Sequence, residues 1–131
     1  MAAALRMMLA TFAGCLLLFA AVIVCVPRAH AAVVRCHGVV GVASFYGAES
    51  GTRTASGARF DPMAMTAAHR SLPFGAVLVV TAQRTGRSVR VTVTDRGPYI
   101  RGRMLDLSRG AAEQLGIIRA GTARVCVRSP P

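Results

Sequence analysis

The stretch TVTDRGPYIRGRMLDLS, residues 92–108, carries two of the chain's five carboxylates, Asp95 and Asp106, among sixteen basic residues that are all arginine. Asp95 closes an alternating run and stands directly before Arg96, Gly97 and Pro98. A carboxyl fixed at so rigid a turn has two uses. It can move protons as a general acid or base, or it can accept turn amides and pin the chain crossing. Both uses stay open from local sequence. Arg96 favours the ionised form of Asp95, whereas burial or a second carboxylate would favour the protonated one; Asp106, Asp61 and Glu49 are the candidates for that second group. Asp106 itself reads as a structural acceptor near a helix start. His69, in MTAAHRSLPFG, can orient Asp95 or touch a ligand, although a lone His otherwise packs. His37 and His69 have no Cys or carboxylate at ligand spacing, so neither a metal nor another cofactor is expected.

These groups need a scaffold, and the patterning supplies a β-rich one. Residues 39–46, VVGVASFY, are apolar and β-prone, and residues 47–57 form a Gly/Ser/Thr loop. A second strand is clear at 76–82. QRTGR, residues 83–87, has the length and glycine of a hairpin connection. In residues 88–95 Val89, Val91 and Val93 share one face, with Arg90, Thr92 and Thr94 on the other. Ser108 is the expected N-cap of a short helix RGAAEQLG that Gly116 ends. Glu113 on that helix reads as a solvated charge, and residues 122–127 close the chain as a strand. Short strands without a βαβ period predict a mostly β domain, closed as a barrel so that no edge is left open.

The first 31 residues stand apart. One early Arg6, an apolar run from Met7 to Val26 and the small-x-small pair Ala29 and Ala31 predict a signal peptide, residues 1–31, cleaved after Ala31. An uncleaved anchor and a lipidated Cys15 in FAGC are the alternatives, and they are the only routes to a membrane that this reading allows. Export leaves Cys36 and Cys126, one near each end of the domain. In an oxidising compartment they are natural disulfide partners, worth roughly 4 kcal/mol in the chain-entropy model, with two buried thiols as the alternative. The formal net charge of +11 would suggest nucleic acid in a cytoplasmic chain. Here the arginines are scattered without an aromatic platform and the chain is exported. An anionic envelope polymer or membrane surface fits better than nucleic acid, and all-Arg usage also follows from base composition alone.

GVASFYG at 41–47, RTASGARFD at 53–61, MTAAHRSLPFG at 65–75, VTDRGPYIRGRMLDLS up to Ser108 and GTARVCV at 121–127 together resemble the RlpA-like (rare lipoprotein A) family. The resemblance implies a six-stranded double-psi β-barrel over residues 36–128 with one or two short helices, exported to the bacterial periplasm or envelope. It implies a protein that acts on peptidoglycan glycan strands as a lytic transglycosylase, and a monomer is expected. Three family positions are linked to activity. The His falls on His69 and the Asp on Asp95, but the Glu after the ASG glycine is Ala58 here.

That departure bears on the chemistry. Ordinary glycoside hydrolysis uses two carboxylates. A lytic transglycosylase lets the sugar's own 6-hydroxyl attack the anomeric carbon, so one acid/base, Asp95, can serve. Tyr46 and Tyr99 are expected to offer faces for sugar stacking, and Thr54, Ser56 and Arg96 to bind along the groove. Core aromatics and an ordinary loop are the bland alternatives. A non-catalytic, expansin-like wall-binding module is the competing function, since Ala58 removes a carboxylate.

Overall fold

The computed structural model describes residues 34–47 and 51–131; the expected signal peptide with Cys15, and Glu49 of the polar loop, lie outside the described residues. The described residues belong to one compact unit, Ala31–Pro131. Six strands and one helix follow in order: β1 Val39–Tyr46, β2 Thr66–Ala68, β3 Val77–Ala82, β4 Ser88–Asp95, β5 Leu105–Ser108, α1 Arg109–Leu115 and β6 Ala123–Arg128. The strands close into a barrel in the order β1-β5-β2-β4-β3-β6.

The hairpin expected from alternation is the antiparallel β3–β4 pair, running from Val77↔Thr92 to Thr81↔Ser88. Val89, Val91 and Val93 are buried as their period predicts, and Leu78, Val80 and Ala82 answer them from β3. β6 pairs antiparallel with both β3 and β1. The two parallel contacts, β1–β5 and β2–β4, require the chain to cross between them, and β2 and β5 then pair antiparallel to complete the ring. Leu105, Leu107 and Val125 fill the interior with no exposed surface, and Ala111, Ala112 and Leu115 of α1 are buried with them.

Local chemistry fixes the helix. Ser108 accepts the Ala111 N–H at 3.3 Å as N-cap. Gly116, at φ 78°, supplies the left-handed residue that ends α1, its N–H bonding Ala112 and Glu113 carbonyls. Arg109 and Glu113 form an i,i+4 ion pair on the solvent side. A disulfide joins Cys36 to Cys126, with Cα atoms 5.5 Å apart across a sequence separation of 90.

The sequence pattern predicts neither β2, inside residues 61–75, nor β5, the LDLS segment before α1. Thr66–Ala68 has three residues and no alternation, so it is a strand only because β4 and β5 hold its two edges.

Candidate active site

A β-bulge decides where Asp95 points. The β2–β4 register runs Thr66↔Thr92, Ala67↔Val93 and then Ala68↔Asp95, skipping Thr94. Strict alternation after Val89, Val91 and Val93 would send residue 95 toward the core. The bulge moves Asp95 into the place of the outward residue instead, a common way to re-aim a side chain beside a site. Its Oδ1 accepts the backbone N–H of Ala55 at 2.9 Å and of Arg96 at 2.8 Å. Among the described residues Oδ2 has no hydrogen bond, so it is the oxygen left open to a ligand, while Oδ1 accepts the turn amides as one of the two foreseen uses requires.

Asp106 belongs to the same face. It pairs with Ala68 from β5 while Asp95 pairs with Ala68 from β4, which separates the two backbones by two strand spacings, roughly 10 Å. Burial pushes the Asp106 carboxyl upward, against a smaller opposing pull from Arg103. Of the other candidates for a second carboxyl, Asp61 is occupied as a turn acceptor for the Met63 N–H at 2.9 Å.

Four buried polar atoms lack a hydrogen bond among the described residues: Tyr46 Oη, Thr66 Oγ1, Thr94 Oγ1 and Asp106 Oδ1. Native proteins leave few such atoms, and each calls for a water, an ion or a ligand. Tyr46 lies near both carboxyls, Thr66 lies near Tyr46, and Thr94 precedes Asp95 in β4. Burial first, then the charge of Asp95 and more weakly that of Asp106, push the Tyr46 phenol up to about 12. Thr66 Oγ1 is near enough to temper that shift, but neither hydroxyl reaches a hydrogen-bonding geometry. Tyr46 is held by Phe60, ring centroids 5.3 Å apart. Thr66 and Thr94 went unremarked in the sequence as site residues; the outward position of Thr94 in the alternation was the available signal.

His69 is fixed differently from expectation. Its Nδ1 accepts the N–H groups of Ser71 at 3.2 Å and Leu72 at 3.0 Å. The neutral ring therefore carries its proton on Nε2. Desolvation, reinforced by Arg70 and Arg96, pushes its pKa down from 6.5. Among the described residues its hydrogen bond to Asp95 is a main-chain one, His69 N–H to the Asp95 carbonyl at 3.2 Å. Arg96 turns its guanidinium away from Asp95. It donates to the carbonyls of His69 at 3.2 Å and Leu72 at 2.8 Å, and its Cζ lies 3.8 Å above the Phe74 ring. Among the described residues Arg96 makes no ion pair with Asp95, and it holds the 69–74 loop instead.

A family model described as lytic transglycolase matches residues 38–127. The chain belongs to this family. The probable endolytic peptidoglycan transglycosylase RlpA of Nostoc is 59% identical over 88 residues, covering 65% of this chain and 24% of that protein. The endolytic peptidoglycan transglycosylase RlpA of Pseudomonas aeruginosa is 47% identical over 94 residues, 71% of this chain and 28% of that protein. The chain thus spans about a quarter of the length of these curated relatives. Among solved structures, a Streptomyces papain inhibitor (21% identity, TM-score 0.56) covers 69% of this chain and 91% of its own. An apo expansin of Clavibacter michiganensis (25% identity, TM-score 0.55) covers 70% of this chain and 50% of its own. The barrel is a double-psi β-barrel.

Within this lytic transglycolase domain the 51–60 loop lies against the Asp95 end of β4. Besides the Ala55 contact, the Ser56 N–H donates to the Thr94 carbonyl at 3.2 Å. Thr54 is buried and its Oγ1 lies 2.8 Å from Ser56 Oγ and 3.3 Å from the Ala58 carbonyl, so this pair stiffens the loop. Ala58 is exposed on it. Tyr99 stands 78% exposed at the next loop, beside Ile100, with an open ring face. Tyr46, Asp95 and Asp106 are thus brought to one face, while the His69 side chain turns to the 71–72 backbone and Tyr99 lies outside them. Among the described residues no three His, Cys, Asp or Glu side chains meet as a metal site would need.

Proposed function

We propose that this domain is exported to the bacterial envelope and cleaves peptidoglycan glycan strands as a lytic transglycosylase, in wall remodelling or daughter-cell separation. The muramyl 6-hydroxyl oxygen bonds to its own anomeric carbon and the glycosidic C–O bond breaks, leaving a 1,6-anhydromuramyl end without consuming water. Asp95 Oδ2, the open oxygen of a carboxyl anchored through Oδ1, takes the hydroxyl proton. Asp106, whose carboxyl is pushed upward by burial, is suited to hold the proton that the leaving oxygen needs. That assignment gives the second carboxyl role to β5, where the family position at Ala58 has none. Neutral His69 donates from Nε2, Tyr46 and Tyr99 pack on sugar rings, and Thr54, Ser56 and Arg96 shape the groove wall.

The observation that carries this reading is that the buried Tyr46 hydroxyl, without a hydrogen bond among the described residues, lies near both Asp95 and Asp106, whose own Oδ1 is also buried and unpaired. The names of the relatives support the substrate, and the disulfide supports an oxidising compartment. The test is to incubate the protein with intact and amidase-stripped sacculi and to search for 1,6-anhydromuramyl products by mass spectrometry. Release by wild type and its loss in Asp95→Asn, by a factor of roughly a hundred or more, is the expected result. Ala58 favours one other reading, an expansin-like wall binder. Sacculus binding without release in both wild type and Ala58→Glu would establish the binder and end the enzymatic reading; release in Ala58→Glu alone would mean that the chain has lost the chemistry while keeping the groove.

A further inference from the structure

We propose that the end of the barrel opposite Asp95 is a docking surface for an anionic lipid bilayer, formed by four arginines around the C-terminus of α1. Two adjoining cavities, of about 520 and 560 Å³, share Arg84, Gly116 and Ala120. Arg124 borders the first and Arg119 the second. Arg87 completes the group, because a Cβ added at Gly116 would lie 2.9 Å from its Nη1 and 3.6 Å from its Cζ. The β3–β4 turn, the segment after α1 and the start of β6 thus bring four guanidinium side chains around one glycine.

Like charges so placed repel, and nothing among the described residues offsets them. Arg84, Arg87, Arg119 and Arg124 are all exposed and make neither an ion pair nor a side-chain hydrogen bond there, whereas Arg70, Arg96 and Arg109 each hold a partner. The one carboxylate at either cavity, Glu113, is held by Arg109 at 3.1 Å. A helix C-terminus by itself accounts for one or two nearby cations. Four of them around two cavities call for an external anion.

The form of the surface decides which anion. The four side chains ring an open area, whereas a clamp for one phosphate would aim its donors at a single point. No aromatic ring lines either cavity, so a sugar or a base finds no stacking platform. Between the arginines the first cavity is lined by Ala82, Leu115, Ile117 and Ala123, which sets hydrocarbon beside the cationic heads. Dispersed cations over an apolar floor match a sheet of phosphate headgroups with alkyl chains behind it.

Placement in the fold supports that occupant. β4 runs from Ser88, next to Arg87, to Asp95, and at the usual rise per residue its ends lie roughly 23 Å apart. A bilayer met by the arginine end therefore leaves Asp95 and the 51–60 loop pointing away from it. Val34 packs at this end too, its Cγ2 3.2 Å from the Cβ position of Gly86, so the described chain begins there. The docking requires neither a lipidated Cys15 nor an uncleaved anchor, and it does not depend on the reaction assigned to the groove.

The test is binding of the disulfide-bonded protein to vesicles, without turnover. Vesicles of phosphatidylcholine alone report any contribution of an apolar N-terminal segment, and vesicles that are about one-third phosphatidylglycerol add the anionic headgroups. Affinity for the second should exceed that for the first by roughly a hundredfold or more, at about fivefold for each arginine near the surface. Arg84→Gln and Arg119→Gln should each remove about fivefold of that ratio. Arg101→Gln, at an exposed arginine of the loop that follows Asp95, should change it by less than about twofold. All three positions are exposed, and an unchanged melting temperature in each variant confirms that folding is not the cause. A ratio near one, or equal losses in Arg101→Gln and Arg119→Gln, overturns the docking surface. So does inorganic phosphate binding in the absence of vesicles and being lost in Arg84→Gln, which would assign the arginines to a small anion. Purified sacculi, which hold no bilayer, are the last arm: if they bind through Arg84 and Arg119 while anionic vesicles do not, the surface belongs to the wall polymer and the lipid assignment fails.

Discussion

His69 is held as a hydrogen-bond acceptor at Nδ1, and this sets how it responds to pH. Two backbone N–H groups point at that nitrogen, so protonation would break both contacts. The folded-state pKa lies below 6.5. The folded state therefore releases a proton that the unfolded chain holds, and the stabilising contribution is complete above 6.5 and lost as pH falls through the folded value. His69 is only partly buried, so the stability effect is small, but an NMR titration of the native protein should place its midpoint below that of a free histidine. A midpoint at or above 6.5 would mean that the Nδ1 contacts are absent. Asp106 has the opposite sign. Its folded pKa is raised above 3.8, so its contribution is present below 3.8 and lost as pH rises through the folded value. Asp106→Asn should accordingly raise the melting temperature at pH 7 relative to wild type and do little at pH 3, while lowering product release. An equal gain at both pH values would deny that desolvated charge is the cause. Sequence carried part of this. Asp95 and His69 were legible through their motifs, yet the unsatisfied hydroxyls of Thr66 and Thr94 were not, because desolvation arises only when the neighbouring strands are in place.

Among the elements, the ones with a complete local code were legible and the ones defined by their neighbours were not. The β3–β4 hairpin has alternation and a turn glycine, and α1 has Ser108 and Gly116 as caps. β2 has no alternation and β5 alternates over only four residues, too few to mark a strand, and the bulge that re-aims Asp95 leaves no trace in the alternation itself. The start of α1 offers a test in which the sign decides. Replacing a helical glycine by alanine ordinarily stabilises by about 0.5–1 kcal/mol. At Gly110, however, an added Cβ would lie 2.5 Å from the Met63 carbonyl oxygen and 2.9 Å from its carbon and Cα. The Gly110 N–H also bonds the Pro62 carbonyl at 2.9 Å, so the helix cannot simply drift away. Gly110→Ala should destabilise by roughly 1–3 kcal/mol, read as a lower urea midpoint at unchanged slope. A gain in stability would show that the 61–64 turn is free to move and is no part of the support for β2.

At the scale of the whole molecule, charge is the unspent resource. The chain has sixteen basic and five acidic residues, and among the described residues Arg109–Glu113 is the one ion pair. The cavity of about 520 Å³ at the β3–β4 turn is bordered by Arg84 and Arg124, so the positive surface extends well beyond the groove. Such a field acts at long range. It raises the encounter rate with an anionic polymer without fixing which bond is cut. Peptidoglycan strands carry carboxylates whether on peptides or on bare lactyl groups, so both forms should feel it. The field is also screened, with a Debye length near 8 Å at physiological ionic strength. Binding of the protein to purified sacculi should therefore weaken steeply as salt is raised, through a slower association rate more than a faster dissociation rate. Replacing Arg84 and Arg124 together by glutamine, away from Asp95, should flatten that salt dependence while leaving the identity of any released product the same. Salt-insensitive binding would assign the affinity to the groove contacts alone and reduce the arginine excess to a matter of composition.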